Sequence, residues 1–196
     1  MHPPLILAST SVYRRELLQR LRLPFTVQAP HVDETPLPGE APRALALRLA
    51  EAKARAVAAD HPGAFVIGSD QVCCCAGTIL GKPGGHAAAV AQLQKLRGRE
   101  SVFHTALALA HPDGSVAVVE VPTLVRMRDL RDAEIESYLR AEQPYDCAGS
   151  AKSEGLGITL LEFLRSDDPT ALVGLPLIAL ASLLRAGAYP LLGAAA

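Results

Sequence analysis

The chain has 196 residues, a length that suits one compact domain, and 49% of them are apolar, enough for a substantial core. Its 19 basic and 20 acidic residues nearly cancel, which argues against the broad basic surface of a protein that binds a nucleic-acid polymer. The longest nearly unbroken apolar stretch, 171–184, is interrupted by Gly174, Pro176 and Ser182 and is too short to span a bilayer, and no Lys or Arg precedes the apolar run Leu5-Ile6-Leu7-Ala8, so a cytoplasmic protein with no membrane partner is expected.

Leu5-Ile6-Leu7-Ala8 reads as a short strand, followed by the capping hydroxyls Ser9-Thr10-Ser11 and a helix from Tyr13 to Leu21. A second strand is predicted at Phe25-Thr26-Val27, then an exposed proline-bounded loop over 30–36. Residues 41–59 read as a long amphipathic helix with an inner stripe of Leu45, Leu49, Ala52 and Ala56, and this helix carries Lys53. Phe65 to Ser69 is a buried strand that ends at Asp70, Gly77 marks a turn, and 79–85 form a glycine-dense loop around Lys82 before a helix over 86–96. Two β-rich runs, 101–110 and 115–125, flank His111-Pro112-Asp113-Gly114, a hairpin signal. A helix over 132–140, with Asp132 as cap and Ala133, Ile135 and Leu139 inside, precedes a strand-like run at 157–161 and a terminal helix entered through Pro176. Alternating strands and helices with an interposed hairpin imply an α/β fold: a mixed, twisted sheet flanked by helices.

Ser9, Thr10, Ser11 and Arg14 lie at a strand-to-helix junction, where free N–H groups and the helix dipole favour an anion such as phosphate; an ordinary capped helix would look the same. Asp33 and Glu34 are adjacent loop carboxylates, and Asp70 sits where α/β proteins present reactive groups. Their hard oxygens suit Mg²⁺ or Mn²⁺, although a solvated turn and a turn cap are the plain alternatives. Lys82 has a glycine-rich setting that lets a ligand approach the backbone. Cys73, Cys74 and Cys75 are consecutive, which suits neither a disulfide framework nor a metal site; burial as small hydrophobes is expected, with Cys73 and Cys75 on one face. No zinc-protease or serine-hydrolase motif is present.

Together, Leu5-Ile6-Leu7-Ala8-Ser9-Thr10-Ser11 with Arg14-Arg15-Glu16-Leu17-Leu18, Val32-Asp33-Glu34-Thr35, Ala52-Lys53-Ala54, Gly68-Ser69-Asp70, Gly81-Lys82-Pro83 and Gly174-Leu175-Pro176-Leu177 resemble the Maf family along almost the whole chain. The resemblance implies a fold similar to that of inosine triphosphate pyrophosphatases, one domain over 1–196 with two lobes around a cleft, and in many members a homodimer. It also implies hydrolysis of nucleoside triphosphates to monophosphate and diphosphate with a divalent cation. Gln71-Val72, the run from Gln143 to Ser150 and Lys152-Ser153-Glu154-Gly155-Leu156-Gly157 resemble the YceF subfamily, associated with 7-methyl-GTP.

Three positions depart from the commoner family pattern: Tyr13 for arginine, Gln71 for threonine and Glu154 for glutamine. These look like specificity positions. A carboxylate at Glu154 could accept from the N1–H and N2–H₂ edge of guanine, and Tyr13 could stack on the cationic base, worth about 0.5–2 kcal/mol. The resemblance assigns Ser9, Arg14, Lys53 and Lys82 to the triphosphate, Glu34 or Asp70 to the cation, and Asp70 to catalysis, where one carboxylate can serve as base or as metal ligand. A Maf enzyme preferring dTTP, UTP or a broader set of modified nucleotides, and a nucleotide-binding regulator of septum formation, are the alternative functions.

Overall fold

A computed structural model describes residues 3–192. The described residues form seven strands and five α-helices in the order β1 (Leu5–Ala8), α1 (Val12–Gln19), β2 (Thr26–Gln28), α2 (Pro42–Ala58), β3 (Phe65–Cys75), β4 (Thr78–Leu80), α3 (His86–Leu96), β5 (Glu100–Ala110), β6 (Val116–Met127), α4 (Asp132–Glu142), β7 (Leu161–Arg165) and α5 (Leu177–Ala186). The strands make one mixed sheet, ordered β2-β1-β3-β5-β6-β7, with β4 paired to β3. β1 runs parallel to β2 and β3, whereas β3–β4 and β6–β7 are antiparallel. The expected α/β class with a mixed sheet is therefore what the chain adopts. Among the described residues no helix is long and apolar enough to cross a membrane.

The residues divide into two compact units, one of 1–70, 105–121 and 168–196, the other of 71–104 and 122–167. In the first, Leu5, Leu7, Phe65, Ile67, Leu107 and Leu109 from the strands pack with Leu17 and Leu18 of α1 and Leu180 and Leu184 of α5. Helix α5 is anchored at its start by side chains: Asp168 Oδ2 accepts from the N–H groups of Ile178 and Ala179, and Thr170 Oγ1 from that of Leu177, satisfying donors that a helix start leaves open. In the second unit α3 packs on α4, burying Leu93, Leu96, Ile135, Tyr138 and Leu139.

Several elements differ from the sequence expectation for physical reasons. Strand β3 does not end at Asp70 but continues to Cys75, so Asp70 lies within the strand. The polar run Ser69-Asp70-Gln71 is tolerated there because Ser69 and Asp70 find buried partners (below). Beyond it Ala76 and Gly77, both at positive φ, form a two-residue turn into β4, a strand inside the expected glycine loop. Cys73 and Cys75 are buried and Cys74 is half-buried, as strand alternation predicts. Residues 156–160 form a 3₁₀ turn rather than a strand, and the strand begins only at Leu161. Arg131, not Asp132, caps α4, with Glu134 closing back on the Arg131 N–H. Tyr138 takes the inner place expected of Ala133, which is exposed. On α2 the buried face is Leu45, Ala46, Leu49, Ala50, Lys53, Ala54 and Val57, a stripe rotated from the one expected and including a lysine.

That rotation has a visible cause. A Cβ on Gly68 would lie 2.2 Å from the Ala50 carbonyl oxygen and 2.6 Å from the Ala54 nitrogen, so the backbone of α2 rests directly on β3. Gly68→Ala must push helix and strand apart, and is expected to lower the unfolding free energy by about 2 kcal/mol or more, measured by urea denaturation. An unchanged midpoint would contradict the close approach.

Candidate active site

The direct contact at Gly68 brings the next inward position of α2 beside β3. Lys53, only 5% exposed, extends its ammonium to Asp70 Oδ1 at 2.7 Å and to Glu34 Oε1 at 2.7 Å. Asp70 is itself buried, while the Glu34 side chain is 59% exposed. A buried ammonium and a buried carboxylate are each costly alone, and here each is the other's partner.

Of the two adjacent loop carboxylates, Asp33 takes the plain role. Its Oδ1 accepts from the Thr35 N–H, closing a local turn, and hydrogen bonding by Thr35 holds its carboxyl below the usual range. Glu34 is the one that reaches Lys53. A clamp absent from the sequence expectation holds this loop against α2. Arg48 donates from Nε and Nη2 to the two Glu40 oxygens at 2.7 and 2.8 Å, and from Nη2 to the Thr35 carbonyl at 3.1 Å. The Glu40 carboxyl is pulled down to about 2, chiefly by the Arg48 hydrogen bond and then by the Leu37 N–H.

At the start of α1, Ser11 Oγ accepts from the Arg14 N–H, and buried Ser9 accepts from the Ser11 N–H at 3.1 Å. The helix thus begins in a nest of hydroxyls, as expected. Arg14 Nε donates to the Gly174 carbonyl at 2.9 Å. Burial draws the Arg14 guanidinium pKa down, and the charges of Asp70 and Glu34 oppose that, which places this cation within the field of both carboxylates. Ser69 lies 2.8 Å from the Ala106 carbonyl and 2.9 Å from that of Gly174, so its single proton donates to one at a time. Gly174, at φ +118, therefore links Arg14 to the residue before Asp70. Neither Ser69 nor Gly174 carries an ionisable group, and only their place in short motifs could have drawn attention to them.

The first unit thus gathers Ser9, Arg14, Glu34, Lys53 and Asp70, with half-buried Tyr13 on α1. Among Ser9, Arg14, Glu34, Lys53 and Asp70 the charged groups are two cations, Arg14 and Lys53, and two anions, Glu34 and Asp70. Gln71, Lys82 and Glu154 belong to the second unit. Lys82 is exposed in the loop after β4, which is held by Gln92 Nε2 donating to the Gly81 carbonyl and by the Gly84 N–H donating to the Tyr145 carbonyl. Glu154 is exposed in the loop after the turn at 148–150.

No described cluster of three or more His, Cys, Asp or Glu side chains could cage a metal. The donor set of Glu34 and Asp70 nonetheless fits Mg²⁺, which is commonly held by one or two carboxylates together with substrate phosphates.

The pattern of the family described as Maf-like protein matches residues 4–187. A protein named 7-methyl-GTP pyrophosphatase from Paraburkholderia xenovorans is 64% identical over 196 residues, covering 98% of this chain and 96% of its own. A protein of the same name from Cupriavidus metallidurans is 60% identical, covering 98% and 97%. More distantly, the solved nucleoside-triphosphatase, dITP/XTP pyrophosphatase, of Mycobacterium abscessus is 19% identical with a TM-score of 0.45, covering 94% of each chain.

If Lys53 neutralises a buried carboxylate, Lys53→Met should destabilise the protein by about 3 kcal/mol. Glu34→Gln, at the exposed end of the same contact, should cost less than about 1 kcal/mol. Urea titrations of both variants measure the difference, and equal losses would mean that Asp70 does not depend on Lys53.

Proposed function

The chain belongs to the Maf family, and on that premise we propose that it hydrolyses 7-methyl-GTP to 7-methyl-GMP and diphosphate, as the names of its relatives suggest. It is a hydrolase of phosphorus-containing anhydrides, and its partner is a small nucleotide. The family pattern runs through both units, which this reading takes as two lobes of one domain. The observation that carries the chemistry is the Lys53 ammonium shared by buried Asp70 and exposed Glu34.

In this reading Asp70 is the general base. Lys53 holds Oδ1 and orients the carboxylate, and Oδ2 takes a proton from the attacking water. The water oxygen bonds to the α-phosphorus, and the bond from that phosphorus to the bridging oxygen breaks, releasing diphosphate. Arg14, the hydroxyl of Ser9 and the ammonium groups of Lys53 and Lys82 grip the phosphates. Among Arg14, Lys53, Glu34 and Asp70 two cations meet two anions, so a bound cation would add positive charge for a polyphosphate. Glu34 and Asp70 would hold a Mg²⁺ or Mn²⁺ ion, which when bound neutralises charge on the leaving diphosphate. Glu154 accepts from the guanine edge and attracts the cationic 7-methylated ring, with Tyr13 stacking on it and Gln71 shaping the preference.

Asp70→Asn should lower kcat by about 10²–10⁴-fold while largely sparing nucleotide binding, followed as diphosphate release and by nucleotide titration. Chelation of Mg²⁺ should abolish diphosphate release by the unmodified protein, and turnover that persists would remove the cation from the reaction. Glu154→Gln should reduce the preference for 7-methyl-GTP over UTP by roughly 10–100-fold in kcat/KM. A parent protein that favours UTP or dTTP from the outset would instead place it among Maf enzymes of other specificity.

A further inference from the structure

Glu142 is the last residue of α4, where the negative end of the helix dipole disfavours a carboxylate. Its carboxyl is nevertheless held below the usual range, first by the Leu156 N–H and then by Lys152. Glu142 Oε2 accepts from the Leu156 N–H at 2.7 Å, and Oε1 lies 3.1 Å from the Lys152 ammonium. One carboxylate therefore ties both ends of the segment 152–156, and Glu154 sits at its middle.

The segment is shaped around this carboxylate. A Cβ on Gly155 would lie 2.7 Å from Glu142 Oε2 and 2.8 Å from Oε1, so a larger residue there would have to displace the carboxylate. A Cβ on Gly157 would lie 2.4 Å from the Lys152 carbonyl oxygen, which packs the exit of the loop on its entrance. The Gly155 N–H donates to that same carbonyl at 3.1 Å, and Tyr138, also on α4, accepts from the Lys152 N–H at 3.0 Å. Glu154 itself remains exposed, its nearest described polar contact being Ser153 Oγ at 3.5 Å. Its placement comes from the backbone that carries it.

We infer that Glu142 is a positioning residue for substrate choice: by holding Lys152 and Leu156 together it fixes where Glu154 presents its carboxylate. The inference rests on the assignment of Glu154 to base recognition. Glu142 touches no substrate. It acts on the orientation of a group that does, so its loss should weaken discrimination between bases rather than turnover in general.

The test compares Glu142→Ala, Glu142→Gln, Glu154→Gln and the double variant E142A/E154Q by kcat and KM for 7-methyl-GTP and UTP, with melting temperatures measured alongside. Glu142→Ala should lower the 7-methyl-GTP to UTP ratio of kcat/KM about tenfold, mainly through KM for 7-methyl-GTP. Glu142→Gln keeps an oxygen for the Leu156 N–H but loses the charge facing Lys152, and should fall between parent and alanine variant. If the alanine variant does not fold, the glutamine variant carries the comparison. Adding Glu142→Ala to Glu154→Gln should leave the ratio where Glu154→Gln alone puts it. Equal losses for both nucleotides in Glu142→Ala, with the ratio shifted only by Glu154→Gln, would overturn the role of Glu142 and leave that of Glu154 standing. A ratio untouched by Glu154→Gln would overturn both.

Discussion

An ammonium group removed from water must be matched by negative charge, and the arrangement of the first unit follows from that requirement at Lys53. The lysine sits on the buried face of α2, where an apolar residue would be ordinary, and its charge is balanced by Asp70 within β3 and by Glu34 from the preceding loop. Gly68 makes the contact short enough by letting the helix backbone rest on the strand. The Arg48–Glu40 clamp braces the loop that delivers Glu34, and Ser69 and Arg14 share the Gly174 carbonyl on the other side of Asp70. The Asp70 carboxylate is thereby held within a buried strand by a 2.7 Å contact to the Lys53 ammonium.

The second unit uses a different device. Lys82 and Glu154 stand on loops, and each loop is tied to a helix by hydrogen bonds to backbone. Gln92 of α3 donates to the Gly81 carbonyl beside Lys82, and Ser150 in turn donates to Gln92 Oε1 at 2.7 Å. Glu142 and Tyr138 of α4 perform the same service for the segment around Glu154. Two exposed ionic side chains, Lys82 and Glu154, are therefore carried on backbone that is tied to helices.

Much of this was legible in the sequence. The β1–α1 junction, the hairpin between β5 and β6 and helix α3 are local objects, fixed by capping hydroxyls, turn residues and apolar spacing, and they stand where those signals put them. What escaped was tertiary. Asp70 reads as a strand end because three polar residues interrupt the apolar run, yet the strand continues, with Lys53 satisfying Asp70 and two distant carbonyls satisfying Ser69. The inner face of α2 is not legible in its own spacing because Gly68, on another element, selects which residues face inward. Asp33 and Glu34 were indistinguishable as neighbours, and only the fold of the loop sends one to a turn and the other to Lys53. Residues 156–160 have strand-like composition, but Glu142 claims the Leu156 N–H and Gly157 packs on Lys152, which turns the chain instead.

The central claim is that water attacks the α-phosphorus of 7-methyl-GTP beside Asp70. Hydrolysis in heavy-oxygen water, with products identified by phosphorus NMR and mass spectrometry, tests it most directly. Label in 7-methyl-GMP with unlabelled diphosphate is the expected result. Label in diphosphate, or formation of 7-methyl-GDP and orthophosphate, would contradict it.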